Sequence, residues 1–295
     1  MGTYAINEEF LQQVETLQLL LKNNVAGMFG GTHQAKTFGS SCDFADYRDY
    51  KAGDDITKID WNAYARFEKL YVKLYLDERQ VHTRIYIDAS RSIDYGRGSK
   101  ALKALQLAAT FAYISICNMD KVSIYYIQNK AVHTLISNMV GKESFYNQII
   151  KLNDIVFDGD SYISESLLPT TVGYGDGHSV IISDFLTDND YDAAIDFLVS
   201  KKRDVVCAQV LSADEIDPLQ RGKVHLFDSE NNERQYKKNI NKDVMAAYRA
   251  AVKYMTSRLQ NFCSARGANY LLVPADKTMQ QIFFQDFPEM EVIKQ

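Results

Sequence analysis

Three oxygen-bearing side chains stand at alternate positions in this chain. Asp88, Ser90 and Ser92 follow directly on the apolar run Ile85-Tyr86-Ile87. A short β-prone run that stops at a turn-forming acid reads as a buried strand opening into a loop. One carboxylate and two hydroxyls leaving the same strand end are all hard ligands. They suit Mg²⁺ or Mn²⁺, ions that bind few protein oxygens and retain several waters. The rival reading is a helix N-cap or turn, because Asp-x-Ser-x-Ser alone can also satisfy backbone amides. A second apolar run, Ser179-Val-Ile-Ile-Ser183, ends in an acid as well, Asp184. In an open α/β sheet, ligands bind beyond the carboxyl ends of the strands, so both acids are placed to serve one site.

The elements that must position these residues can be read from periodicity. Phe10, Val14, Leu17, Leu20 and Leu21 recur at helical spacing and predict a helix over 8–23. Residues 27–41 are rich in Gly, Ser and Thr and read as a loop. Leu70, Val72, Leu74 and Leu76 alternate with polar or aromatic residues, as in a strand with one buried face. The short connection from it to the strand over 84–88 favours an antiparallel pair. Further helices are expected over 100–118, 143–152, 191–201 and 242–266, the last closed by Gly267 as C-cap. Another begins at 161–167, and a short one lies over 278–284. Strands are expected over 121–128, with a hairpin partner over 131–136, and over 204–211 and 269–273. A hairpin is expected over 224–236. Strands alternating with helices imply a largely parallel sheet covered on both faces.

Two blocks carry a family resemblance. Asp88-x-Ser90-x-Ser92 at the end of a first core strand resembles the metal-ion-dependent adhesion site of von Willebrand factor type A domains. The block from Cys42 to Tyr75, with Asp43-Phe-Ala-Asp-Tyr-Arg-Asp-Tyr-Lys-Ala-Gly-Asp-Asp55 and Asp60-Trp-Asn-Ala-Tyr-Ala-Arg66, is similar to the signature of the bacterial "domain of unknown function 58" family. The resemblance implies a von Willebrand factor A-like α/β fold, a mostly parallel sheet with helices on both faces and an N-terminal extension. It divides the chain into residues 1–80, the helix, loop and signature block, and residues 81–295, the A-like domain. Ser161 resembles the position that is usually Thr in the family pattern Thr-x-Ile-x-x-x-Leu, with Asp160 as a competing ligand. The resemblance makes Asp184 the last loop carboxylate of the site, bound directly or through water. The implied metal ligands are therefore Asp88, Ser90, Ser92, Ser161 and Asp184. Neutral ligands leave an ion electrophilic, so an acidic side chain from a client protein could complete its shell. The resemblance also implies partnership with a MoxR-type AAA+ ATPase, with this chain as a non-catalytic adaptor.

The totals narrow the alternatives. A chain of 295 residues, 46% hydrophobic and 24% charged, has an ordinary globular composition. A net charge of −5 gives no general footprint for nucleic acid. Cys42, Cys117, Cys207 and Cys263 are far apart and form no Cys-x-x-Cys, which argues against a zinc ribbon and fits reduced thiols in the cytoplasm. The apolar stretch over 107–117 is shorter than the ~20 residues of a membrane span, and no signal peptide is evident. Residues 43–66 mix acids with Arg48, Lys51, Lys58 and Arg66. They read as a loop pinned by ion pairs and aromatic anchors, ahead of a recognition surface or second metal site. Gly96-Arg-Gly-Ser-Lys100 lacks the Gly-Lys-Ser/Thr order of a phosphate loop. The runner-up function is an Mg-dependent hydrolase acting on phosphate esters with Asp88 as nucleophile. It lacks a neighbouring acid or base, since His82 and His178 precede their strands rather than follow them.

Overall fold

Apolar strands alternating with helices fold in the computed structural model into a sheet whose central strand carries Asp88. The structure describes residues 6–24, 44–75, 81–94, 99–175, 177–187, 190–218, 222–227, 235–240 and 242–286. In chain order the elements are α1 (Glu8–Asn24), β1 (Phe44–Asp49), α2 (Trp61–Phe67), β2 (Tyr71–Tyr75), β3 (His82–Asp88), α3 (Arg91–Asp94) and α4 (Ser99–Cys117). There follow β4 (Lys121–Gln128), β5 (Ala131–Met139), α5 (Lys142–Gln148), α6 (Ile163–Leu167), β6 (His178–Ser183), α7 (Asp192–Ser200), β7 (Asp204–Leu211) and α8 (Ala213–Ile216). The chain continues with β8 (Gly222–Phe227), β9 (Gln235–Ile240), α9 (Lys242–Ala265), β10 (Asn269–Pro274) and α10 (Met279–Gln281). The expected loop over 27–41 lies outside the described residues, as does the turn between β8 and β9.

Two compact units form: residues 21–80, and residues 1–20 with 81–295. The division expected from sequence kept 1–80 together. Residues 1–20 go instead with the larger unit, because α1 buries Phe10, Val14 and Leu17 there. Asn153 fixes the start of the helix, its side chain accepting from Ile6 N at 2.8 Å and donating to Ile6 O at 3.2 Å.

In the larger unit the sheet runs β10-β7-β6-β3-β4-β5. All neighbours are parallel except β4 and β5, which form the expected antiparallel hairpin. The fold is mixed α/β, a mostly parallel six-stranded sheet flanked by helices. Period-two alternation sends Tyr86, Ile181, Cys207 and Tyr270 to one face, where they pack with residues of α6, α7 and α9. The other face, with Ile85 and Ile87 at 0% exposure, lies under α4. Each such buried aliphatic side chain contributes about 1.5–3 kcal/mol. Gly267, at φ +70°, closes α9 as a left-handed C-cap.

The smaller unit corrects one expectation. β2 does not pair with β3; it pairs antiparallel with β1, Tyr47 opposite Lys73 and Asp49 opposite Tyr71. Part of the presumed loop is thus a strand, because its tyrosines and arginine alternate along a ladder rather than a turn. The ion-pair pinning is present all the same. Arg48 bonds Asp54 at 2.8 Å, and Asp60 caps α2 while accepting from Tyr47 at 2.7 Å. Trp61, Tyr64 and Phe67 stay exposed.

The amino end of the sheet is closed by Arg203. Its guanidinium donates to His178 O at 2.7 Å, to Ser179 Oγ at 3.2 Å and to His82 O. Burial first, then the charges of Arg84, Arg203 and Lys121, lower the His82 imidazole to about 4. As pH falls, the unfolded chain therefore binds this proton first, near pH 6.5. The neutral ring contributes stability that is fully present above about pH 6.5 and is lost as pH falls towards about 4. We expect the stability of the wild type to fall by ~1–2 kcal/mol over this window, an amount discounted for a half-buried ring. Urea titrations at stepped pH should show a smaller fall in His82→Gln.

Candidate functional site

Parallel pairing builds the site. Ile87 of β3 lies opposite Ile182 of β6, so the next residues, Asp88 and Ser183, leave the sheet side by side. Ser183 Oγ donates to Asp88 Oδ2 at 2.6 Å. Ser161 Oγ donates to the same oxygen at 2.7 Å. Ser90 N donates to Asp88 Oδ1 at 3.1 Å, and the Ser90 and Ser92 hydroxyls lie 3.1 Å apart. Asp88 and Ser90 are at 0% exposure, Ser161 and Asp184 at 1%.

Two loops are held together to make this possible. Arg91 N donates to Gly159 O and Asp158 N to Ala89 O, both at 2.9 Å, which laces the loop after β3 to the loop before α6. Arg91 and Asp158 also form an ion pair. Gly159 has φ +81°, and an added Cβ would lie 2.4 Å from Asn129 Oδ1. The positive φ favours glycine there, and a Cβ would also oblige the Asn129 side chain to move. Ser161 faces Asp88, whereas Asp160 is only partly buried and accepts from Tyr162 at 3.4 Å.

Asp184 is engaged differently. Its Oδ1 accepts from Leu186 N at 3.1 Å and its Oδ2 from Lys100 Nζ at 3.1 Å. Lys100 is at 1% exposure and also donates to Glu215 Oε1 at 2.5 Å. The other Glu215 oxygen closes a capping box on α8, accepting from Ser212 N at 2.8 Å. Phe185, next along, is buried at φ +51°, a strained conformation for a bulky residue. Ser183 Oγ stabilises that turn by accepting from Phe185 N at 3.0 Å.

The charges are unevenly compensated. Burial first, and then the like charge of Asp184, push the Asp88 carboxyl above the ordinary range, against the pull of its hydroxyl donors. For Lys100, burial works against the charge, but Asp184 and Glu215 more than offset it and the ammonium is raised above its usual value. Asp184 thus has a buried cation beside it, while the three donors to Asp88 are all neutral.

A buried carboxylate gathered with hydroxyls is a donor set that fits a hard divalent ion. Among the described residues no group of three or more His, Cys, Asp or Glu is placed to hold a metal ion. The candidate site has two carboxylates and several hydroxyls instead. Of the residues expected from sequence, Asp88, Ser90, Ser92 and Ser161 are linked by direct hydrogen bonds. Asp184 joins them through its neighbour Ser183 and the charge it shares with Lys100.

Sequence reasoning overlooked Ser183, Lys100 and Glu215. Ser183 could have been found from parallel pairing of two strands that both end in acids. Lys100 could have been found because it lies four residues before Ala104 on the face of α4 that continues through Ala108 and Phe111, all buried. A lysine on such a stripe demands an internal partner.

Residues 46–258 match the family described as "Protein of unknown function DUF58". The chain is 24% identical over 225 residues to the uncharacterized proteins Mb1516 of Mycobacterium bovis and Rv1480 of Mycobacterium tuberculosis, covering 74% of this chain and 70% of each of them. Solved structures similar to it include an aerotolerance-related membrane protein from Bacteroides fragilis, at 15% identity and TM-score 0.39, covering 71% of this chain and 100% of that one. Another is the SpRpn10 VWA domain, at 10% identity and TM-score 0.35, covering 68% and 92%.

Gly159→Ala should lower thermal stability by about 2–4 °C, the equivalent of roughly 1 kcal/mol of backbone strain in a domain of this size. A thermal melt checks it. An unchanged melting temperature would mean that the turn before Ser161 tolerates a side chain.

Proposed function

Because the chain belongs to the DUF58 family, we propose that it is a non-catalytic, metal-assisted protein-binding module. The observation that carries this reading is Asp88, buried at the end of the central strand with only neutral hydrogen-bond donors among the described residues. Asp88, Ser90, Ser92 and Ser161 would hold Mg²⁺ or Mn²⁺, with Asp184 contributing charge directly or through water. When bound, the ion would supply an electrophilic position able to accept an acidic side chain from a client protein. The Ser161 hydroxyl suits this task because it donates to Asp88 and still offers lone pairs.

The placement of His82 and His178 away from the site supports binding over catalysis. Asp88 ends β3, whereas His82 opens it and His178 opens β6. β3 runs from His82 to Asp88, so six extended steps put His82 roughly 20 Å from the site. We extend the proposal to an adaptor role beside a MoxR-type AAA+ ATPase in the cytoplasm, supported by the family resemblance of the signature block. No helix among the described residues is long and apolar enough to cross a membrane.

Calorimetry should show Mg²⁺ or Mn²⁺ binding to wild type and at least tenfold weaker binding, about 1.4 kcal/mol, to Asp88→Ala. Equal affinities would remove Asp88 as a ligand. A pull-down with a MoxR-type ATPase should retain the chain in Mg²⁺. Failure with and without the ion would remove the adaptor role. Metal-dependent hydrolysis of phosphate esters by wild type, lost in Asp88→Asn, would favour the hydrolase.

A further inference from the structure

Lys100 is a buried ammonium whose two partners are the Asp184 carboxylate at 3.1 Å and the Glu215 carboxylate at 2.5 Å. It lies in the first turn of α4, and its partners are the residue that follows β6 and a residue of α8. A surface lysine could be replaced by solvent, but this one is at 1% exposure, so its charge acts at close range with little screening. Both Asp184 oxygens are already used, Oδ1 by Leu186 N and Oδ2 by Lys100. Among the described residues an incoming divalent ion would meet one carboxylate without a charged partner, Asp88, rather than two.

We infer that Lys100 is a resident counter-ion that competes with the divalent cation for Asp184 and so sets the affinity of the site. Glu215 tunes that competition by drawing the same ammonium towards α8. Its side chain is partly exposed, which makes it the weaker of the two controls. This inference rests on the proposed cation-binding reading and adds a positioning pair that touches Asp184 without ligating the ion. A merely structural strut would behave otherwise, since breaking it from either end would loosen the site and weaken binding.

The test uses the full chain, Mg²⁺ or Mn²⁺ titrated alone, and two variants with opposite expected signs. Lys100→Met removes the competing charge. It should bind the ion about tenfold or more tighter than wild type. Its metal-free form should melt at a lower temperature, and the ion should raise that temperature more than in wild type. Glu215→Gln leaves the ammonium wholly to Asp184 and should weaken binding by roughly two- to fivefold. Tighter binding in Lys100→Met together with weaker binding in Glu215→Gln supports the inference. Binding by Lys100→Met where wild type shows none also supports it. Weakened or unchanged binding in Lys100→Met, with wild type binding normally, overturns it and leaves the cation reading standing. No binding by either protein overturns both. Should Lys100→Met fail to fold, Lys100→Gln takes its place, and weakened or unchanged binding in it overturns the inference.

Discussion

The structure turns on one buried carboxylate. Removing Asp88 from water at the end of β3 carries a desolvation penalty of several kcal/mol, and ordinary folds avoid it by pairing or neutralising the charge. Here the partners are the Ser161 and Ser183 hydroxyls and one backbone amide. Lysine is present nearby but is directed to Asp184. Hydroxyls differ from a lysine in one respect that matters: they carry lone pairs as well as a proton. They can stabilise the carboxylate in the metal-free chain without filling the space beside it with positive charge.

The sheet gives this site its polarity. Parallel strands deliver residues following β3 and β6 to the same edge, so loops far apart in sequence meet there. The opposite edge is closed by Arg203 across the starts of those same strands. One end is thus sealed with a guanidinium that satisfies carbonyls, and the other gathers acids and hydroxyls. The lacing of residues 89–91 to 158–159 then determines which member of the Asp160–Ser161 pair turns inward.

Much of this was legible in the sequence because its signals are local. Apolar runs ending in Asp88 and Asp184 marked both strand ends, and helical spacing located α1, α4, α7 and α9 to within a residue or two. What was not legible depends on long-range pairing. Nothing local in residues 44–49 announces that they ladder with 71–75, since alternation of Tyr, Arg and Asp looks the same in a loop. The expected pair of β2 with β3 rested on a short connection, and a short connection cannot tell hairpin from boundary between units. Ser183 and Lys100 escaped for a related reason: each acquires its role from a partner on another element, at 95 and 84 residues' distance.

The balance of charge also bears on what kind of chemistry the site favours. Catalysis of phosphoryl transfer asks for a group that can move a proton near the leaving oxygen. The nearby polar groups are serines, a carboxylate pushed up by burial and an ammonium held charged by its acids, while His82 and His178 stand at the far ends of β3 and β6. With Lys100 offsetting Asp184, the site would meet a doubly charged ion with little more than the single charge of Asp88. Positive charge would then remain, buried among oxygens. An anionic side chain is the natural complement to such a charge, and the proposed recognition of an acidic partner draws on that complementarity.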